Sequence, residues 1–117
     1  MGDFSFQKTD RLRKRFEFLR LSRQGRKVAN EAFLVAWQPS SSGRSRLGVT
    51  VTKKVGCAAV RSRIKRVTRE VFRTRRHLLA PGYDINVIAR GSAARMSKAQ
   101  AARAVEELFV RIGNQGH

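Results

Sequence analysis

Residues 58–73 read AAVRSRIKRVTREVFR, and six of them are Arg or Lys while Glu70 alone is acidic. Guanidinium and ammonium groups at this density suit one chemistry above others, the binding of phosphate oxygens. At about 100° per residue, Arg61, Lys65, Arg69, Arg73 and Arg76 follow one line of a helix. Arg66 extends that face and Arg63 lies toward its flank. Val60, Ile64, Val67 and Val71 form the opposite stripe, so the apolar side packs and the cationic side meets solvent or a ligand. An ordinary solvated face mixes both signs. This one sets like charges at i,i+4, each step mildly destabilising, and no acidic residue occurs from Ala32 to Arg69. Phosphate binding accounts for that imbalance and solvation alone does not.

Lys53-Lys54-Val55-Gly56 leads into this helix. It lacks the glycine spacing of a phosphate loop, so Lys53 and Lys54 read as further phosphate contacts and Gly56 as a point where backbone can approach a ligand. Phe16 and Phe18 stand near Arg15 and Arg20, and aromatic rings beside arginine can stack unpaired bases. Two apart on a helix, the two rings point in different directions; one is expected in the core, the other at a ligand or the sheet edge. Hydrolytic chemistry finds no such support. His77 and His117 are the only histidines and have no metal-ligand spacing. No pair of acids stands in a catalytic motif, and Ser40–Ser42 has no nucleophile signature.

The bulk numbers agree with a binding protein. The 117 residues carry 26 Lys and Arg against 8 Asp and Glu, a net charge of +18. A compact chain so charged repels itself unless a polyanion neutralises it. Nucleic acid is the first candidate and an anionic membrane surface the second. No run approaches the ~18–20 apolar residues of a membrane span. The N-terminus lacks the apolar segment of a secretory signal, and Phe6 stands where a myristoylation motif needs Ser or Thr. Cys57 has no partner for a disulfide or metal cluster. These features point to the reducing cytoplasm.

The elements that must position these residues make one domain spanning 1–117, with 1–13 as an extended basic arm. A short helix is expected over 14–24, carrying Phe18 and Leu21 and ending at a left-handed Gly25. VANEAFLVAWQ (28–38) and RLGVTVT (46–52) read as strands, paired as an antiparallel hairpin across the 39–45 loop. The basic helix runs from Ala58 to the region of Arg76–Leu79, Pro81-Gly82 breaks the chain, and YDINVIA (83–89) is a central strand. Ser97 opens the last helix with Gln100 as capping-box partner. Ala101, Val105, Leu108 and Ile112 supply its core stripe and Gly113 closes it. The order α-β-β-α-β-α is an α+β sandwich, a small sheet covered by helices.

RLGVTVTKKVGCAAVRSRIKRVTREVFR (46–73) resembles the bacterial ribonuclease P protein family, with weaker likeness over 11–37 and 83–90. The family's Arg-Asn-Arg helix motif falls on Arg61, Ser62, Arg63, Lys65, Arg66, Arg69 and Glu70. The resemblance implies a left-handed β-α-β crossover, and a catalytic RNA partner that uses bound magnesium ions to remove the 5′ leader of precursor tRNA. It assigns Lys54, Arg61, Ser62, Arg63, Lys65, Arg66, Arg69 and Arg73 to that RNA. It assigns Phe16, Phe18, Thr52, Lys53 and Arg90 to the single-stranded leader, held in a cleft between the first helix and the sheet. It implies no metal or cofactor held by the protein itself and no obligate protein partner. Ser62 departs from the motif's Asn. Ser22 and Ala36 replace cleft aromatics found in other members, for which Phe16 or Trp37 would have to substitute. A ribosomal or nucleoid protein with the same basic helix, or a stand-alone nuclease, are the other readings of the charge.

Overall fold

A computed structural model of the chain describes residues 11–40, 43–79 and 82–115. The basic arm before Arg11, Ser41 and Ser42 of the loop, Pro81 of the chain break and His117 lie outside them. Helix α1 (Arg15–Gln24) precedes strands β1 (Arg26–Ala29), β2 (Phe33–Pro39) and β3 (Arg46–Thr50). Helix α2 (Ala58–Arg75) continues into a 3₁₀ turn, Arg76–Leu79. Strand β4 (Tyr83–Ala89), a 3₁₀ turn at Gly91–Arg95 and helix α3 (Lys98–Gln115) complete the chain. The class is α+β, as expected, with four strands where the sequence suggested three.

The extra strand comes from a turn. Asn30 Oδ1 accepts the amides of Ala32 (3.1 Å) and Phe33 (2.9 Å), while its own amide donates to the Phe33 carbonyl. An Asn side chain that satisfies local N–H groups offers the backbone an alternative to extension. The expected single strand 28–38 therefore folds back on itself as the β1–β2 hairpin, with Val28 opposite Val35.

The expected hairpin between β2 and β3 does not form, because β4 lies between them in the order β1-β2-β4-β3. Strand β4 pairs antiparallel with β2 and parallel with β3, aligning Val87 with both Val35 and Val49. It is buried on both faces, as a strand covered by helices on both sides of the sheet must be. Gly82 enters this strand at φ +152° with a Cβ position 2.6 Å from the Gly43 carbonyl oxygen, so only glycine fits.

The two faces of the sheet differ. One is covered by α2 and α3, which bury Phe33, Val35, Trp37, Ile85 and Val87 against Ile64, Phe72, Leu108, Phe109 and Ile112. The other carries α1, whose Leu21 packs with Leu12 and Ala36, and Phe18 lies against that cluster. Arg46 ties α1 down. Its guanidinium meets Glu17 of α1 at 2.7 Å and grips Asp84 of β4 with two bonds of 2.9 Å. Burial would raise the Glu17 pKa, but the amides of Lys14 and Arg13 and the Arg46 charge outweigh it and hold it below the usual range.

Two glycines end differently from expectation. Gly25 caps α1 in extended backbone (φ −71°), its amide bonded to the Leu21 carbonyl. Its lack of a side chain serves close packing, since a Cβ would come within 2.6 Å of that oxygen. Gly113 does not close α3, which continues to Gln115. It lets the helix press on the Leu78 carbonyl, 2.4 Å from where a Cβ would stand. The Ser97–Gln100 capping box is present, with bonds of 2.9 and 3.1 Å.

Candidate nucleic-acid interface

Helix α2 buries Ile64, Thr68, Val71 and Phe72. Val60 and Val67 are partly buried at the margin of the core. The packed side is thus rotated from the valine stripe read in the sequence, because Phe72 inserts edge-on against Phe109. Thr68 can be wholly buried because its hydroxyl donates to the Ile64 carbonyl at 2.9 Å.

This rotation decides where each cation goes. Ser62 and Arg66 form the exposed crest of α2, and with Lys65, Arg69 and Glu70 they line a shallow recess of about 300 Å³. Arg61 and Lys65 lie on the flank nearer the packed side and are half-buried. Arg63 falls on the other flank and donates to the Ala94 carbonyl at 3.0 Å, so it also braces the turn before α3. Arg73 pairs with Glu70 through an Nε–Oε2 bond of 3.1 Å, which raises the Arg73 pKa and lowers that of Glu70. Arg75 is paired with Glu106. The cationic line is consequently most open at Arg66, beside Ser62 on the crest.

Arg69 has a different setting. It lines a recess of about 390 Å³ with Arg11, Leu12, Phe18 and Gly48. Burial, and secondarily the Arg11 charge, lower its pKa. A residue that the resemblance gives to the catalytic RNA therefore stands beside one that it gives to the leader. Phe18 lies directly on the backbone of β3, where a Cβ on Gly48 would be 2.3 Å from its ring. Farther along this face Thr50 Oγ1 bonds to Asn86 Oδ1 at 3.1 Å. Beyond it, Thr52 and Lys53 follow the end of β3 and Arg90 follows the end of the parallel β4, all three exposed. Arg90 donates to the Asn30 carbonyl at 3.2 Å. The recess at Phe18 and the Thr50–Asn86 pair thus share one face of the sheet, with Thr52, Lys53 and Arg90 past the strand ends.

Phe16 is not on that face. It is 57% exposed, with Lys14 Nζ 5.9 Å and Arg20 Cζ 5.8 Å from its ring centre. Trp37 cannot replace a missing cleft aromatic either, since it is 2% exposed and packs edge-on against Tyr83 at 5.1 Å. Lys53 and Lys54 occupy a tight turn closed by the Val55 amide on the Thr52 carbonyl. A Cβ on Gly56 would stand 2.9 Å from the Val60 side chain, so the missing side chain there serves the packing of the first turn of α2. Cys57 caps α2 in the open, and the amides of Val60 and Ala59 lower its thiol pKa. Among the described residues no group of three His, Cys, Asp or Glu side chains is placed to hold a metal, and no helix is long and apolar enough to cross a membrane.

The sequence did not reveal the Arg46–Glu17–Asp84 brace or the contribution of Lys98, which the fold brings to the rim of α2. The alternation of β3 puts Arg46 on the face of Gly48 and was a usable signal. The approach of α3 to α2 had none.

A family model for ribonuclease P matches residues 6–113. This chain belongs to the ribonuclease P protein family. It is 46% identical to the ribonuclease P protein component of Desulfatibacillum aliphaticivorans, over 96% of this chain and 95% of that one. The Staphylococcus aureus RNase P protein superposes with a TM-score of 0.80 at 35% identity, covering 86% of this chain and 92% of that one. The Thermotoga maritima protein superposes at 0.79 and 34%, covering 87% and 96%. Within the family, the small residue at position 36 has a local explanation here. Ala36 is 1% exposed beneath α1, packed with Leu12 and Leu21, and a ring there would lift the helix. Ser22 is exposed on α1, its carbonyl bonded by Lys27 at 2.8 Å.

Proposed function

We propose that this chain is the protein subunit of ribonuclease P, acting in the cytoplasm to bind the catalytic RNA and the 5′ leader of precursor tRNA. In this reading it assists endonucleolytic removal of the leader, which creates the mature tRNA 5′ end. The observation that carries it is the crest of α2, where Ser62, Lys65 and Arg66 lie beside a Glu70 already engaged by Arg73. Such a surface neutralises phosphates. Lys54, Arg61, Arg63, Arg69 and Arg73 would extend this RNA contact. On the other face, Phe18 would stack a leader base while Thr52, Lys53 and Arg90 meet its backbone, with Phe16 contributing only from outside the recess.

The family resemblance implies a division of labour. The described residues offer no carboxylate or histidine cluster fit to hold a resident metal. In this reading magnesium would be held by the RNA, where it would supply an activated water and stabilise the leaving oxygen. The protein's part is electrostatic and positional, holding RNA and leader together.

The test is reconstitution of the purified chain with a bacterial ribonuclease P RNA and labelled precursor tRNA at low magnesium. Leader removal that needs both components supports the reading. Tight RNA binding without stimulation would instead make it a ribosomal or nucleoid type of basic protein. The Lys65→Ala/Arg66→Ala pair should reduce the slope of log affinity against log salt by roughly 1.4–1.8, with folding unchanged.

A further inference from the structure

A groove of about 650 Å³ runs between α2 and the first turns of α3. Ala59, Val67, Val71 and Ala102 give it an apolar floor, while Arg63, Arg66 and Lys98 stand on its rim. Its volume lies in the range of sites that enclose small organic groups, about 300–1,000 Å³. Small side chains at Ala59, Ala99 and Ala102 keep it open. The single acid on its edge, Glu70, is bound by Arg73 and leaves the rim cationic. Arg63 is pinned at one end by the Ala94 carbonyl through one guanidinium nitrogen; a guanidinium has five N–H donors, so others remain for a ligand.

We infer that this groove receives an unstacked nucleobase of the partner RNA, with the phosphates on either side of that base held by Arg66 and Lys98. The inference rests on the RNA-binding reading above and names a subsite within it. A phosphate alone would need the rim but not the apolar floor. An apolar peptide would need the floor but not the three cations. A nucleobase with its two flanking phosphates matches both. Among the described residues Ser62 is the only neutral hydrogen-bonding side chain lining the groove, so little reads the base edge and discrimination among the four bases is weak.

The test fills the groove without changing charge. Ala59 and Ala99 are both exposed, so Ala59→Trp and Ala99→Trp leave the core alone, which unchanged unfolding midpoints verify. Affinity for a ribonuclease P RNA is measured over a range of salt, beside Arg66→Ala. Losing one base buried against this aliphatic floor should weaken binding by roughly tenfold or more. The salt slope should stay at the wild-type value in the Trp variants and fall by about 0.7–0.9 in Arg66→Ala. Adenosine monophosphate should also produce saturable shifts of the Ala59, Ala99 and Ala102 methyl resonances, while inorganic phosphate should not. Wild-type affinity in both Trp variants overturns the inference and leaves the groove to an acidic protein segment. Loss of affinity together with salt slope overturns it too, since the phosphates themselves would then have been displaced. An Arg66→Ala variant with unaltered affinity and slope would remove support from the RNA-binding assignment of the helix crest.

Discussion

Replacing Gly48 with Ala should disable the Phe18 recess proposed for the leader while altering no charged or polar group. The new Cβ would lie 2.3 Å from Phe18 Cε1, 2.7 Å from Cζ and 3.3 Å from Leu12 Cβ. Carbon atoms rest at about 3.5–4.0 Å, so the ring must move by about 1 Å or more. Strand β3 is anchored by its ladder to β4, whereas the Phe18 ring is only half-buried and free to swing outward. Full burial of a Phe is worth ~1.5–3 kcal/mol; displacing a half-buried ring forfeits about 1 kcal/mol. Removing a glycine from a strand returns ~0.5–1 kcal/mol. The two effects nearly cancel, and the thermal midpoint should move by no more than about 4 °C.

Leader binding should respond much more. A base stacked on an aromatic ring contributes ~1–3 kcal/mol, so its loss weakens affinity about five-fold at the least. The assay compares precursor tRNA bearing a short leader with leaderless tRNA, each bound to the complex reconstituted with ribonuclease P RNA. Only the leader-bearing substrate should be affected. Because Gly48→Ala acts through Phe18, adding it to Phe18→Ala should change leader affinity no further, and should slightly raise stability. Additive losses in the double variant would refute the reasoning, since distant independent sites add and coupled ones do not.

Gly113→Ala improves helix propensity by about 1 kcal/mol, yet its Cβ would meet the Leu78 carbonyl oxygen, so urea unfolding should show a net loss of about 1–3 kcal/mol. A midpoint above wild type would contradict that contact. Ser97→Ala removes the hydroxyl that accepts the Gln100 amide and should cost about 0.5–2 kcal/mol in the same assay. Glu17 has a folded pKa below its ordinary 4.5. Its contribution is therefore complete above that pH and disappears as pH falls through the lower folded value. The stability gap between wild type and Glu17→Gln should be constant near neutrality and close below about pH 4.5, as followed by circular dichroism.

Local signals and charge account for what could be read without coordinates. The 3.6-residue rhythm of α2, its six cations from Arg61 to Arg73, the Ser97–Gln100 box and the apolar run of β4 each depend on neighbours a few residues away. They determined the helices, the central position of β4 and the choice of a polyanion as partner. The hairpin at Asn30 was also local but was hidden, because its strand residues run on with no Gly or Pro between them.

Strand order was a tertiary decision. Both β2 and β3 have one apolar alternation and could have paired with each other, but in the fold β4 lies between them, antiparallel to β2 and parallel to β3. That insertion carries α2 across the sheet and sets its rotation, which Phe72 and Thr68 complete by packing inward. Arg69 consequently reaches the recess of Phe18, Arg63 reaches Ala94, and Arg66 faces Lys98 across a groove. Phe16 and Phe18 are separated for the same kind of reason, since the sheet has room beneath α1 for one ring only where Gly48 leaves it. Composition alone pointed to phosphate as the ligand; packing between residues far apart in sequence chose which cations share a face.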